Sequence, residues 1–347
     1  MAFESTTELP DASVELPAIQ RVHELADLGE AHPDWAGIRT EWMDVAGAKV
    51  RLLRHDSAAD GPLVLLVHGL GGTSTNWLPV MRGLSALGPV VAVDLPGFGE
   101  TAPPRPTTAR PRANARFLAT LVRALDAGPV VAVGNSMGGA IVTLLAADHP
   151  VLVQRLVLLG PALPPRLVGL VPSRFLVNSF GPMLLPVLGP KIIRKRLAAM
   201  TFDEQYRSGM RQMVAEPDAI PEHQIEVGVA NLARVTQLRW RGPAFLQATA
   251  GLVELQVGPA RRVMLDSIRR ITAPTLYIRG AQDPLVLAAT TAMVRRLRPD
   301  WTIEEQDAMG HVPMLEAPDW TVQRIIRFVE GADDARQGPQ RSGSQGL

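Results

Sequence analysis

The centre of this sequence reads Pro129-Val-Val-Ala-Val-Gly-Asn-Ser136-Met-Gly-Gly-Ala-Ile-Val-Thr-Leu-Leu-Ala-Ala147. Its first part, Val130 to Val133, is apolar and rich in β-branched residues, which favours a strand. Small residues follow, and a segment of helix formers comes next, so the order is strand, sharp turn and helix. Gly134 and Gly138 flank Ser136 at equal spacing, as a turn this tight requires, because side chains there would clash with the strand and the helix.

The pattern Gly-x-Ser-x-Gly is that of a nucleophile elbow, in which a strained turn exposes a serine hydroxyl at the N-terminus of a helix. The unpaired N–H groups and the dipole of that helix favour developing negative charge. The pattern therefore predicts Ser136 as a nucleophile, with Gly134 and Gly138 as structural residues beside it. A glycine-rich turn without any chemistry is the plain alternative.

Composition limits the classes of protein to consider. The chain has 347 residues, of which 46% are hydrophobic, enough for a large core. The formal net charge of +1 gives no indication of a nucleic-acid partner. The absence of cysteine excludes disulfides, cysteine nucleophiles and thiolate metal sites, and we expect no metal and no cofactor. Residues 1–33 lack a basic and then apolar leader, so we expect a cytoplasmic protein. The sequence does not indicate an oligomeric state.

Strand and helix patterns alternate along most of the chain, which predicts an α/β fold with a mostly parallel sheet covered by helices on both faces. The clearest buried strands are 63–67, 90–93, 130–133, 156–159 and 274–278. Polar residues follow three of them, at His68, Asp94 and Ser136. Because open α/β sheets bind ligands at the carboxyl ends of their strands, we expect the site there.

The alternation defines the domain organisation. We expect an N-terminal extension at 1–35, a first part of the core at 36–160, a helical cap at 161–262, a second part of the core at 263–330 and a disordered tail at 331–347. The cap begins with a very apolar stretch, 163–188, which prolines and two arginines interrupt, against a membrane span. Buried faces of small helices explain this apolar character. An apolar substrate pocket, or a transient contact of the cap with a membrane or lipid, is the alternative.

An acyl-transfer site needs a nucleophile, a base, and a group that orients the base. Ser136, Asp283 and His311 occur in one of the known chain orders for this geometry, each just after a predicted strand. They are therefore the predicted catalytic triad. Asp307, in the same loop as the histidine, and Asp266, near the end of the cap, are weaker candidates for the acid.

The site also needs two backbone N–H groups for an oxyanion. Met137, directly after the nucleophile, is predicted to supply one, and Leu70 the other. His68 and Gly69 precede Leu70 in a glycine-rich loop, and we expect both to be structural. Asp94 is expected to fix the turn that follows it, and His149 to end a helix.

Five motifs together resemble the α/β-hydrolase fold superfamily, in the branch with a helical cap. They are His68-Gly-Leu-Gly-Gly72, Asp94-Leu-Pro-Gly-Phe-Gly99, Gly134-Asn-Ser-Met-Gly-Gly139, Gly280-Ala-Gln-Asp-Pro284 and Gly310-His-Val-Pro-Met-Leu-Glu316. The resemblance covers residues 42–329. It implies a mostly parallel eight-stranded sheet flanked by helices, with a helical cap inserted after the sixth strand.

The elbow is similar to those of monoacylglycerol-lipase-like esterases and of carbon–carbon bond hydrolases that act on ring-cleavage products. The loop at His68 lacks the longer glycine- and proline-rich form of many of the latter. Haloalkane dehalogenases and epoxide hydrolases of this superfamily carry aspartate where this chain has Ser136, which argues against both activities.

We therefore expect a serine hydrolase of the carboxylesterase or lipase type, acting on a small hydrophobic ester through an acyl-enzyme. Three alternatives stay open: carbon–carbon bond hydrolysis, acyl transfer to an alcohol or to peroxide with the same triad, and a ligand receptor on a hydrolase scaffold.

Overall fold

The computed structural model describes residues 28–105, 109–166 and 199–334. They contain eight strands: β1 Ile38–Val45, β2 Ala48–His55, β3 Val64–Val67, β4 Val90–Val93, β5 Val130–Asn135, β6 Val153–Leu159, β7 Thr275–Gly280 and β8 Thr302–Gln306. The helices, numbered within the described residues, are α1 Leu78–Leu84, α2 Pro111–Ala124, α3 Met137–Asp148, α4 Phe202–Met213, α5 Glu222–Thr236, α6 Arg241–Val257, α7 Ala260–Arg270, α8 Ala288–Leu297, α9 Pro313–Glu316 and α10 Pro318–Asp334.

One sheet contains all eight strands, in the order β1-β2-β4-β3-β5-β6-β7-β8. The pairs β1–β2 and β2–β4 are antiparallel, and every other neighbouring pair is parallel. This confirms the predicted α/β fold with a mostly parallel sheet. The apolar runs in β3, β4 and β5 are buried along their whole length, as parallel strands covered on both faces must be.

Two apolar clusters lie on the two faces of the sheet, because side chains alternate along each strand. The first packs Leu65 and Ala132 against α2, α3 and α7. The second packs Leu66 and Val133 against α1 and α10, and it includes Leu28 and Trp35. Both of these last residues are buried and belong to short 3₁₀ turns before β1, at the end of the predicted N-terminal extension.

The strand register brings the predicted site residues to one edge. Val67 pairs with Gly134, Asn135 with Leu159, and Leu159 with Ile278. The residues that follow these strands therefore meet at the carboxyl edge of the parallel strands, where ligands bind in open α/β sheets.

Between β6 and β7 the described residues, 160–166 and 199–274, contain helices and no strand. The domain boundaries stay predictions. Helix α7 crosses the boundary placed at 262, and α10 continues to Asp334, beyond the one placed at 330. Most of the apolar stretch 163–188, residues 1–27 of the N-terminal extension, and residues 335–347 of the tail lie outside the described residues. The lipid contact of the cap therefore stays a prediction.

Among the described helices, none combines the length and the apolar character that crossing a membrane requires.

Candidate active site

The elbow holds Ser136 in a backbone conformation that few residues other than glycine adopt. Its φ is 55° and its ψ is −117°, at the junction where β5 ends and α3 begins. The Ser136 N–H donates to the Leu159 carbonyl at 3.1 Å, which ties the turn to β6. The side chain is partly exposed, while the residues on both sides of it are buried. The turn therefore presents one hydroxyl at the sheet edge.

Close backbone contacts explain both flanking glycines. A Cβ on Gly134 would lie 2.5 Å from the Gly138 carbonyl oxygen, and a Cβ on Gly138 would lie 2.1 Å from the Val67 carbonyl oxygen. Real Cβ atoms do not approach a backbone that closely. Strand, turn and helix can therefore come together here only without side chains at 134 and 138.

Asp283 and His311 form a hydrogen-bonded pair, although they are 28 residues apart. The His311 Nδ1 lies 2.8 Å from the Asp283 Oδ2, and both side chains are buried. The other carboxylate oxygen, Oδ1, accepts the N–H groups of Leu285 and Val286 at 2.8 and 2.9 Å. Since an ionised carboxylate only accepts, the His311 Nδ1 carries the proton, and Nε2 is left with a lone pair. This is the arrangement that a general base needs.

Asn135 and Gly160 bring this pair to the elbow. The Asn135 amide donates to the carbonyls of Leu159 and His311 at 2.9 and 3.0 Å. Gly160 has φ of 48°, and a Cβ there would lie 3.0 Å from the Asp283 Oδ2 and 3.2 Å from the His311 Nδ1. The structure thus brings the three residues of the predicted triad to one edge. No sequence pattern assigned a role to Asn135, whose only signal was its place in the elbow motif.

The loop after β3 lies against the serine. A Cβ on Gly69 would be 3.1 Å from the Ser136 Cβ, closer than most real Cβ contacts, so glycine favours the close approach of this loop. The N–H groups of Leu70 and Met137 form no hydrogen bond within the described residues. Two unpaired donors beside the hydroxyl are what an oxyanion site requires.

His68 joins two loops and does not face the serine as a second base. Its Nδ1 lies 2.8 Å from the Gly69 carbonyl oxygen, and its Nε2 accepts the Leu95 N–H at 3.2 Å. These two contacts require a neutral ring with the proton on Nδ1. Burial of the ring lowers the pKa of His68 below its usual value of 6.5.

His68 should make folding sensitive to acid. Because its pKa is lower in the folded than in the unfolded chain, its contribution to stability is present above pH 6.5 and is lost as the pH falls through the folded-state pKa. We expect His68→Asn to reduce the loss of unfolding free energy between pH 7 and pH 5, by at most about 1.4 kcal/mol per pH unit. Denaturant titrations at several pH values measure this. His149→Asn, at the end of α3, is the control. An equal pH dependence in wild type and His68→Asn would contradict the expectation.

Glu316 joins the histidine loop to the chain just after α4. Its carboxylate accepts the Gly310 N–H at 2.8 Å and the Ala215 N–H at 3.0 Å. Beside it, the His311 N–H donates to the Met213 carbonyl, at the end of α4, at 2.6 Å. Burial raises the pKa of Glu316 above its usual range, and the two N–H donors oppose that rise. The sequence motif contained Glu316, but nothing local indicated its partner at 215.

Glu316→Gln should weaken this junction. The amide replaces one acceptor oxygen by an N–H₂ group, which faces a backbone N–H and leaves that donor unpaired. We expect the free energy of unfolding to fall by about 1–3 kcal/mol. Chemical denaturation of the variant measures the loss, and Glu330→Gln, exposed on α10, is the matched control. If both variants unfold at the wild-type denaturant concentration, the carboxylate does not hold the junction.

The competing acids lie elsewhere. Asp266 forms an exposed ion pair with Arg269 on α7, and the Asp307 side chain is exposed. Asp94 is buried, accepts the N–H groups of Ser74 and Glu100, and lies 3.6 Å from the Arg51 guanidinium. Its role is to hold loops together, as the sequence suggested.

One cluster among the described residues has the composition of a metal site: His32, Asp34 and His223. It joins the turns before β1 to α5, away from the strand ends. The two imidazole rings stack at 3.7 Å with 9° between their planes. The nitrogen lone pairs lie in the planes of the imidazole rings. Because the two planes are stacked and nearly parallel, the lone pairs point side by side and do not converge on one ion. The His32 Nδ1 also accepts the Asp34 N–H at 3.2 Å. The present arrangement fits a packing contact.

Comparison with known proteins identifies relatives over most of the chain. The chain is 29% identical over 285 residues to the magnesium-chelatase 30 kDa subunit of Rhodobacter capsulatus, covering 79% of this chain and 88% of that protein. It is 26% identical over 290 residues to Lipase 1 of Psychrobacter immobilis, covering 82% and 81%.

A putative lipase from Acinetobacter baumannii has a similar structure, with a TM-score of 0.71 at 22% identity over 88% of this chain and 95% of that one. At this identity the likeness concerns the fold alone. The profile of the alpha/beta hydrolase family matches residues 64–324, from β3 into α10. That range contains the elbow, the Asp283–His311 pair and the glycine-rich loop, and the chain therefore belongs to the alpha/beta hydrolase family.

Proposed function

We propose that this chain is a serine hydrolase that cleaves carboxylic esters with a hydrophobic acyl or aryl group. The observation that carries the proposal is the 2.8 Å bond between His311 Nδ1 and Asp283 Oδ2, at the edge where the elbow presents Ser136. The lipase among the relatives supports the choice of ester chemistry.

In the proposed reaction, the Ser136 Oγ attacks the ester carbonyl, and His311 takes the hydroxyl proton through Nε2. Asp283 holds the ring in this tautomer and stabilises the imidazolium that forms. The N–H groups of Leu70 and Met137 stabilise the tetrahedral oxyanion. His311 then protonates the leaving alcohol, and an acyl-enzyme remains. A water molecule, deprotonated by the same histidine, releases the acid. These steps need no metal and no cofactor.

The test combines labelling with turnover. A fluorophosphonate probe should modify Ser136 alone, as peptide mass spectrometry would show, because only a serine beside a base and an oxyanion site reacts rapidly. A series of p-nitrophenyl esters with increasing acyl length then gives the preferred substrate size. A folded protein that neither takes the label nor hydrolyses any ester of the series would contradict the proposal, and strong ligand binding without turnover would favour the receptor alternative.

Carbon–carbon bond hydrolysis is the second candidate, because the residues around Ser136 are similar to those of hydrolases that act on ring-cleavage products. The same triad would serve that reaction. Loss of the visible absorbance of a dienoic ring-cleavage product, without hydrolysis of the ester series, would favour it. Acyl transfer differs only in the acceptor, and product analysis with competing alcohols or peroxide distinguishes it. The cytoplasmic location stays a prediction.

A further inference from the structure

A small, open cleft lies beside the glycine-rich loop. The loops after β3 and β4 line one side, with 71–73 and 97–99, and α5 and α6 line the other, with Val235, Arg241 and Phe245. The two phenylalanines, Phe98 and Phe245, and Val235 make its walls largely apolar. Among the described residues that line it, none has an acidic side chain.

The cleft adjoins the proposed oxyanion site. The Gly72 N–H donates to the Gly69 carbonyl at 3.1 Å and closes a turn over Leu70 and Gly71. Gly69 lies against Ser136, and Gly71 lies against Phe245, whose ring would be 3.3 Å from a Cβ at 71. The same turn therefore contacts the serine on one side and forms a wall of the cleft on the other.

Each of the other described arginines that are buried or partly buried forms a hydrogen bond through its side chain. The side chain of Arg241 alone among them forms no hydrogen bond or ion pair with the described residues. Arg51, for example, lies close to Asp94 and Glu100, and Arg298 donates to Asp300. Burial lowers the pKa of Arg241, and no acid among the described residues opposes that effect. Its guanidinium stays charged all the same, since an arginine does not lose its proton in proteins.

A cation that has lost part of its hydration and has no counter-ion is a ready partner for an anion. The desolvation cost is already present in the free protein, so an incoming carboxylate or phosphate gains most of the attraction. The planar guanidinium also matches both groups in a bidentate geometry. We propose that Arg241 binds an anionic group of the substrate, a carboxylate or a phosphate, while the apolar walls contact the chain or ring that connects this group to the scissile ester.

This inference rests on the proposed function for its site, but a binding experiment tests it without turnover. Calorimetry with octanoate and with heptylphosphonate, a carboxylate and a phosphonate that carry the same seven-carbon alkyl chain, measures affinity directly. We expect wild type to bind at least one of them and Arg241→Gln to bind it about 10- to 100-fold more weakly. The better of the two probes identifies the preferred anion. Arg239→Gln, an exposed arginine two residues earlier, is the matched control and should bind as wild type does.

The second test compares the hydrolysis of a charged ester with that of an apolar ester. The mono-p-nitrophenyl ester of suberic acid, with a free carboxylate, is compared with p-nitrophenyl octanoate, in which a methyl group replaces that carboxylate. Arg241→Gln should raise KM for the charged ester alone, with little change for the apolar one. Equal binding by wild type and Arg241→Gln, or equal preference for the two esters in both proteins, would overturn the anion site. Arginine-dependent binding without any ester hydrolysis would instead overturn the esterase and leave the anion site standing.

Discussion

Replacing Ser136 with alanine should lower kcat for ester hydrolysis by about 10⁴-fold or more, with the fold intact. The variant loses the nucleophile but keeps the Cβ atom, so the backbone at φ 55° meets the same neighbours as before. The remaining rate comes from the oxyanion donors and from substrate binding alone. Pre-steady-state kinetics with the best p-nitrophenyl ester measures the loss of the acylation rate and of the initial burst of p-nitrophenol.

Ser208→Ala, a partly exposed serine on α4, is the matched control and should keep full activity. Thermal unfolding of both variants verifies that each is folded. If Ser136→Ala kept more than a tenth of the wild-type kcat, Ser136 would not be the nucleophile, because loss of the nucleophile must reduce acyl transfer far more.

Asp283→Asn should lower kcat/KM by about 10⁴-fold through the wrong tautomer of His311. The asparagine oxygen can still accept the N–H groups of Leu285 and Val286 at the place of Oδ1. Its N–H₂ group then faces His311 and donates to Nδ1. The ring must accept there and carry its proton on Nε2, so it can no longer take the serine proton.

A control variant at a neighbouring acid and a direct measurement of the tautomer make this test specific. Asp307→Asn removes an exposed carboxylate four residues before the histidine and should change kcat/KM by less than twofold. If Asp307→Asn were the inactive variant and Asp283→Asn the active one, the acid of the triad would be misassigned. Resonances of the His311 ring nitrogens report the tautomer in each protein.

Much of the fold follows from patterns within single segments. Continuous apolar runs predicted the buried parallel strands, because a strand covered on both faces does not need polar residues at every second position. The elbow glycines were identified because close backbone approach excludes side chains, and the structure has that approach. The candidate acid and base were found by their place after strands, and β7 and β8 end just before them.

Other features depend on partners that are far away in sequence. Glu316 accepts an N–H from Ala215, 101 residues earlier, and no local pattern encodes such a pair. Asn135 reaches the His311 carbonyl, 176 residues later. That Arg241 has no partner in the described part of the chain appears only when its surroundings are known. The burial of Trp35 follows from no periodic pattern, since a short turn can bury one side chain without repeating it along a helix face.

The junction at Glu316 has a mechanical consequence. Three hydrogen bonds, from Gly310, His311 and Ala215, fasten the end of α4 to the loop that carries the imidazole. That helix end cannot shift without pulling on the backbone of His311, unless these bonds break. The end of α4 and the histidine loop therefore form one mechanical unit, so a displacement of the helix end would change the position of the imidazole.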